Sequence, residues 1–329
     1  MTSRRRATGR LTTGIAALAI SGCSGPQSAL SRGGEDASVL FTLFIVMLVA
    51  AVILWLLLNG AFFYVTRLYT GSMKARLANG MVIVCGILMP TVLIGILLAW
   101  GLSILPDQRQ EGDGLTVRVR GEQWWWRIEY WPEGAEEPII AANEIRMPVG
   151  ERVEFLLDSD RVIHSFWIPS LGGKMDMFPG RETRMSLRAE LPGTYRGQCA
   201  EFCGASHAWM AFEAVAMEPD DFDAWLEAEQ GDAVAEAATL PGAAIFDREG
   251  CGACHQVRGT EHVGQVGPDL THVGTRQTIG AGRMGASLEN MDLWVRHTGD
   301  LKPEVDMPSY DYLSDEDAQA LAEYLVALE

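Results

Sequence analysis

The chain has 329 residues, 48% of them hydrophobic, and a formal net charge of −17. That acid excess excludes a nucleic-acid-binding role, which needs clustered Lys and Arg against phosphate, and the length exceeds one ordinary domain. Apolar residues crowd into the first third, whereas the later two thirds are acidic and hold the candidate metal ligands, so the chain reads as a membrane anchor followed by soluble modules.

Arg4, Arg5 and Arg6 precede an apolar run from Leu11 to Ile20, the charged and hydrophobic parts of an export signal. The run is too short to span a bilayer. It ends in Leu18-Ala19-Ile20-Ser21-Gly22-Cys23, which resembles a bacterial lipobox. On that reading residues 1–22 are a signal peptide and Cys23 is the lipidated mature N-terminus; an ordinary signal peptide with an incidental cysteine is the alternative. Residues 23–37 then form an external segment. Two further runs, Val39 to Tyr64 and Met81 to Leu105, each exceed the roughly 20 residues needed to cross hydrocarbon, predicting a transmembrane helix hairpin over residues 38–106. Arg67, Lys74 and Arg76 lie between them, while Glu35 and Asp36 precede the first. The positive-inside rule therefore puts the connecting loop in the cytoplasm and everything after Leu105 outside. Cys85, inside the second run, is assigned to packing.

At Leu115 the pattern changes. Leu115, Val117 and Val119 alternate with polar residues, and short strand-like segments follow around Ile139, Arg152–Leu157, Arg161–Ile168 and Arg184–Leu187, separated by Gly, Pro and Asp turns. This spacing predicts a β-sandwich or barrel over residues 107–218. Near its end stands Cys199-Ala200-Glu201-Phe202-Cys203-Gly204-Ala205-Ser206-His207-Ala208-Trp209-Met210, with His164 upstream. Thiolate, imidazole and thioether together select copper, and a mononuclear blue site needs only one cysteine. Two thiolates can bridge a pair of copper ions, each ion taking one histidine, with a thioether and a carbonyl as weak outer ligands. A disulfide or a structural zinc site remains the bland alternative for the two cysteines.

The pattern C-x-E-x-C-x-x-x-H-x-x-M resembles the CuA ligand loop of cytochrome c oxidase subunit II, a cupredoxin-like domain. The resemblance implies Cys199 and Cys203 as bridging thiolates, His164 and His207 as imidazole ligands, Met210 as thioether and the Glu201 carbonyl as the last donor. It also implies a magnesium ion, shared with subunit I, on the Glu201 carboxylate. The run Gly121-Glu122-Gln123-Trp124-Trp125-Trp126 resembles the aromatic stretch that passes electrons to that site, with Trp124 as the first acceptor. An aromatic strand packed in a core is the competing reading for these tryptophans.

Beyond Met217 an acidic helical stretch runs from Asp220 to Glu229, and Gly231-Asp232-Ala233 leads into an alanine-rich segment, giving a helix and linker over residues 219–240. Cys251-Gly252-Ala253-Cys254-His255 is a heme c attachment motif, in which Cys251 and Cys254 form thioethers and His255 ligates iron. Residues 241–329 resemble an all-α class I cytochrome c. In that family Pro268 would orient His255 through its carbonyl, and Met307, before a C-terminal helix from Ser314 to Leu328, would be the second axial ligand. Met284 and Met291 come too early, and His262, His272 and His297 are competing ligands assigned to other roles. Six basic and fifteen acidic residues from position 240 onward make this module strongly acidic.

The resemblance as a whole implies a multidomain membrane protein: subunit II of a respiratory oxidase with a fused cytochrome, in a bacterial inner membrane with both redox domains in the periplasm. It would take electrons from an external cytochrome c or another donor and pass them to subunit I for oxygen reduction and proton translocation, with subunit III as a further partner. A copper-containing nitric oxide reductase subunit and a standalone membrane-tethered carrier are alternatives; quinol oxidases lack the copper ligands. One departure stands out. Ile83 occupies the position seven residues before Pro90 where the family often carries a proton-uptake glutamate, and Gly86 replaces a tryptophan, so proton-uptake chemistry is not carried over to this chain.

Overall fold

The structure, a computed structural model, describes residues 25–69, 71–105 and 110–329. The expected signal peptide and Cys23 lie outside the described residues. Among the described residues, those of 38–105 form one compact unit, and those from Gln110 onward form another together with 25–37.

Helix α1 (Glu35–Phe63) has its first three residues in the second unit and the rest in the first, where it continues through one wide π turn (Tyr64–Leu68). Helix α2 (Ala75–Ile83) runs through a second such turn (Val84–Leu88) into α3 (Met89–Ile104). The second turn lies just before Pro90, whose missing N–H would otherwise orphan a carbonyl one turn earlier; local π widening is the usual adjustment in apolar helices. Both continuous helices, Glu35–Leu68 and Ala75–Ile104, are long and apolar enough to cross a membrane, and their apolar residues, Cys85 included, are exposed on all sides. A helix apolar all round cannot face water stably, so lipid is the environment this unit fits.

The second unit opens with a sandwich. One sheet has the order β3-β2-β1-β5-β8, built from β1 (Thr116–Glu122), β2 (Trp125–Trp131), β3 (Ile139–Ala142), β5 (Arg152–Ser159) and β8 (Thr183–Arg188). The other has the order β4-β10-β9-β6-β7, from β4 (Glu144–Pro148), β6 (His164–Trp167), β7 (Lys174–Met177), β9 (Gly193–Cys199) and β10 (Ala211–Met217). Strict alternation along β2 turns Trp126, Ile128 and Tyr130 inward and Trp125 and Arg127 outward. Trp126 meets Phe212 at 5.1 Å and Phe212 stacks on Phe166 at 5.0 Å between ring centroids. Each such buried ring contributes about 1.5–3 kcal/mol through the water it sheds. Arg152, buried at the start of β5, pairs with Glu35 at 3.0 Å and Asp36 at 3.1 Å.

The predicted linker divides in two. Helix α4 (Pro219–Gln230) lies on the sandwich, with Trp225 edge-on to Tyr130 at 5.2 Å and Phe222 in the sandwich core. Ala237 is already part of the next core. That core joins α5 (Pro241–Arg248), α6 (Leu288–Leu301) and α7 (Asp315–Val326), with a two-residue ribbon of β11 (Thr278–Ile279) and β12 (Met284–Gly285). Ser287 and Ser314 cap α6 and α7 by accepting from the Asn290 and Asp317 amides. Gly242 lets α5 cross α7 closely, since a Cβ there would strike the Ala320 carbonyl.

The helical domain is fixed to the sandwich by polar contacts along a seam. The Gln277 amide donates to Glu144 Oε2 at 2.7 Å, Arg146 to the Thr275 carbonyl at 3.1 Å and Arg127 to the Gln265 carbonyl at 2.7 Å. Glu229 is buried there among Arg276, Arg258 and Arg146, and burial outweighs those cations, raising its carboxyl to about 7. An acid raised in the folded state stays protonated while its unfolded counterpart ionises from about 4.5 upward, so stability falls as pH climbs between those values and then levels. Glu229→Gln should remove that slope, leaving the protein more stable than wild type at pH 8 by on the order of 3 kcal/mol and equal to it near pH 4, read by unfolding midpoints across pH. Parallel pH profiles for the two proteins would contradict this.

Candidate copper site and heme cavity

Strands β6, β9 and β10 meet at one end of the sandwich, and their register assembles the first site. Phe166 pairs with Cys199, and His164, two residues before Phe166 and hence on the same inward face, reaches the same sulfur. Gly121 is needed beside it, because any Cβ would strike the His164 ring. The loop from Ala200 to Met210 is tied down at both ends: the Cys199 amide donates to the Met210 carbonyl at 2.9 Å and the Ala200 amide to the Ser165 carbonyl at 2.9 Å.

Within this frame the two sulfurs of Cys199 and Cys203 stand 3.8 Å apart. His164 Nδ1 lies 3.7 Å from the Cys199 sulfur, His207 Nδ1 3.5 Å from that of Cys203, Met210 Sδ 3.8 Å from Cys203, and the Glu201 carbonyl 3.1 Å from Cys199. All six donors singled out in the sequence thus converge on the sulfur pair. His164 is fully buried and Cys199, Cys203 and Met210 nearly so. Their mutual hydrogen bond lowers the Cys199 thiol, and the same bond together with burial raises that of Cys203. Binding of a metal pair would displace the thiol protons. The Glu201 carboxylate, by contrast, is exposed.

Trp124 precedes β2 and is only 5% exposed. Its indole N–H donates to the Cys203 carbonyl at 2.9 Å, and the Gln123 amide donates to the same oxygen at 2.9 Å. Gly204, at φ +118°, supplies both the conformation and the room that the indole requires. Trp126 fills the middle of the core, and Trp124, part of the same core, faces the thiol loop.

The second site is a cleft in the helical domain that opens against Gln123, Trp124 and Asn143 of the sandwich, with two adjoining cavities that share His255, Val266, Leu270, Val295, Asp306, Met307 and Leu325. Gly250, left-handed at φ +72°, ends α5 and turns the chain into the short helix carrying Cys251 and Cys254, which line the smaller cavity. His255 Nδ1–H donates to the Pro268 carbonyl at 2.7 Å, and burial holds the imidazole below its usual pKa. A neutral ring with Nδ1 so engaged leaves Nε2 free to ligate. Met307 lines both cavities; Met291 lines the larger only, and His262, His272 and His297 line neither. His262 instead pairs with Asp247 at 2.8 Å, and His272 contacts the Gly231 carbonyl at 3.2 Å.

Sequence reasoning missed three residues. Gln123 was adjacent to a motif residue and had no separate signal. Arg276 lines the larger cavity, half-buried, with its pKa lowered by burial. Lys302 lies buried against Trp124; its one sequence signal is that no other lysine follows Lys174.

Fold and site together define a membrane-anchored protein with two redox-type sites in one extramembrane unit. Residues 132–217 match the family described as cytochrome c oxidase subunit II, periplasmic domain, and residues 240–329 match cytochrome c. A cytochrome c oxidase subunit 2 of Alkalihalophilus pseudofirmus is 40% identical over 68% of this chain and 64% of its own length. One of Bacillus subtilis is 30% identical over 94% of each. Among solved structures, the periplasmic domain of subunit II of cytochrome oxidase from Bradyrhizobium japonicum is 28% identical, covering 37% of this chain and 96% of that one, with a TM-score of 0.32. The chain belongs to the cytochrome c oxidase subunit 2 family and carries a cytochrome c domain, an arrangement for electron transfer. Membership implies copper in the first domain, heme in the second and association with other subunits of a heme-copper oxidase. The residues present fit both groups: soft sulfur and imidazole donors converge at one site, and an apolar cleft with two thiols and a free imidazole nitrogen forms the other.

Gly267 bears on the second site, because a Cβ there would strike the His255 ring. Gly267→Ala should tilt that ring and weaken any bond its Nε2 would make to a heme iron, seen as loss or shift of a reduced c-type α-band. A spectrum identical to wild type would show that the ring accommodates the methyl.

Proposed function

We propose that this chain is the electron-input subunit of a bacterial inner-membrane cytochrome c oxidase, with its domains after Leu105 in the periplasm. In this reading Cys199 and Cys203 bridge a dinuclear CuA centre. His164, His207, Met210 and the Glu201 carbonyl complete it, and the Glu201 carboxylate contributes to a magnesium site shared with subunit I. Cys251 and Cys254 hold heme c covalently, with His255 and Met307 as axial ligands and Pro268 orienting His255. Bound at these sites, heme and the copper pair each accept and release one electron at a time.

The chain's own residues do the rest. Trp124 lies between the two sites, lining the larger cavity while its indole hydrogen-bonds the Cys203 carbonyl, so it is the bridge by which electrons reach the thiolates. Burial of Cys199, Cys203, His164 and Met210 excludes water from the copper ligands, which limits the reorganisation that each electron would otherwise force on nearby solvent. Phe202, 76% exposed beside Cys203, belongs to the face through which electrons leave toward subunit I. Subunit I then reduces oxygen to water with proton translocation, and subunit III completes the complex. An external cytochrome c or similar protein supplies electrons to the heme. A cleaved export signal and a lipid on Cys23 complete the membrane attachment.

The observation that carries this reading is the convergence of two thiols, two imidazole Nδ1 atoms, a thioether and a carbonyl within one end of the sandwich. Electron paramagnetic resonance of the purified, copper-loaded protein should give a seven-line hyperfine pattern, alongside a c-type α-band in the reduced optical spectrum. A four-line pattern, or no copper, would overturn the dinuclear assignment.

A further inference from the structure

Lys302 ends α6, and its side chain is 2% exposed. The ammonium donates to the Trp124 carbonyl at 2.6 Å and to the Gly280 carbonyl at 2.9 Å, and it makes no ion pair among the described residues. Burial without a carboxylate is costly for an amine. Its pKa falls to about 7 for that reason, opposed by the nearby Cys203 and aided by Arg283. An apolar side chain of similar length would fill the same space without that cost, so packing alone does not account for a lysine here.

The two acceptors indicate what it does. Gly280 belongs to the helical domain and Trp124 to the sandwich, so the ammonium bridges the seam at the residue whose indole meets the Cys203 carbonyl. Five residues further on stands Met307, and Lys302, Trp124, His255 and Met307 all line the same cavity. The loop carrying the methionine is thereby fastened to the peptide carrying the tryptophan. Neighbouring contacts support the same fastening: Ser206 Oγ donates to the Pro303 carbonyl at 2.5 Å, Arg283 lies over the Trp209 ring at 4.1 Å, and the Ala211 amide donates to the Ala281 carbonyl at 3.0 Å.

We propose that Lys302 is a positioning residue for electron transfer, holding Trp124 at a fixed separation from the Met307 loop so that heme and copper communicate through the indole. The inference rests on the two-centre reading given above. In the step concerned, one electron leaves the reduced heme iron and enters the oxidised copper pair; no bond forms or breaks.

The test uses the whole purified oxidase complex, with a photoactivated ruthenium reductant delivering one electron to the heme. Heme reoxidation is followed at its α-band and copper reduction in the near infrared. Lys302→Met should keep the copper resonance pattern and the heme potential of the wild type while slowing heme-to-copper transfer by about tenfold or more, the scale on which small misplacements act. Lys302→Arg, which keeps the donors, should recover part of the rate. A Lys302→Met rate equal to wild type, with both centres intact, overturns the proposal. Should Lys302→Met fail to retain both centres, Lys302→Gln, polar but too short to bridge both carbonyls, takes its place under the same criterion. If the wild type itself shows no copper signal or no transfer, the two-centre reading fails and Lys302 loses its role with it.

Discussion

Everything at the business end of the second unit depends on one constraint: backbone polar groups buried along the seam must find partners, and they find them across it. The Ala211 amide, one residue beyond the last sulfur donor, is satisfied by Ala281, and the Gln277 amide by the Glu144 carboxylate. A closed seam shifted out of register would leave such groups buried and unpaired, at roughly 1–3 kcal/mol each. The seam is therefore specific in register as well as adhesive, and it fixes the thiol loop, Trp124 and the His255–Met307 cleft within one rigid frame.

That frame gives the proposed electron path its physical sense. Trp124 is covered, not offered to solvent. A donor outside the protein would have to deliver electrons to the cleft of the helical domain, with the indole next in line. The acidic surface of that domain favours a donor with basic groups around its own redox centre. Meanwhile the sandwich does for the sulfur pair what packed cores do generally: Phe166 stacks on Phe212, Trp126 meets both edge-on, and the donors beside them have little freedom to rearrange.

Much of this was legible in the amino-acid order because the chemistry sits in short, contiguous motifs. Cys199 to Met210 and Cys251 to His255 are compact enough to carry a resemblance that implies their donors, and the apolar runs declare the two long helices by length. His164 needed the resemblance, since nothing local ties it to a loop thirty-five residues away; only the pairing of β6 with β9 does so. Strands β4, β7, β9 and β10 escaped notice: partly polar or glycine-containing segments such as Lys174–Met177 and Gly193–Cys199 lack clean alternation, and Ala211–Met217 is apolar at every position but Glu213. Ala237, within the expected linker, is buried where the helical core begins. Lys302 was illegible for a deeper reason. Its role depends on two carbonyls from different domains, and backbone acceptors leave no trace in sequence.

A fixed pair of centres implies transfer that is strictly intramolecular. The most direct measurement is the rate of heme-to-copper electron transfer in the wild-type complex after photoreduction of the heme, recorded over a hundredfold range of protein concentration. A first-order rate independent of concentration, with copper reduction matching heme reoxidation in time, is the result expected. A rate that rises in proportion to concentration, or copper reduction that precedes heme oxidation, would contradict the account.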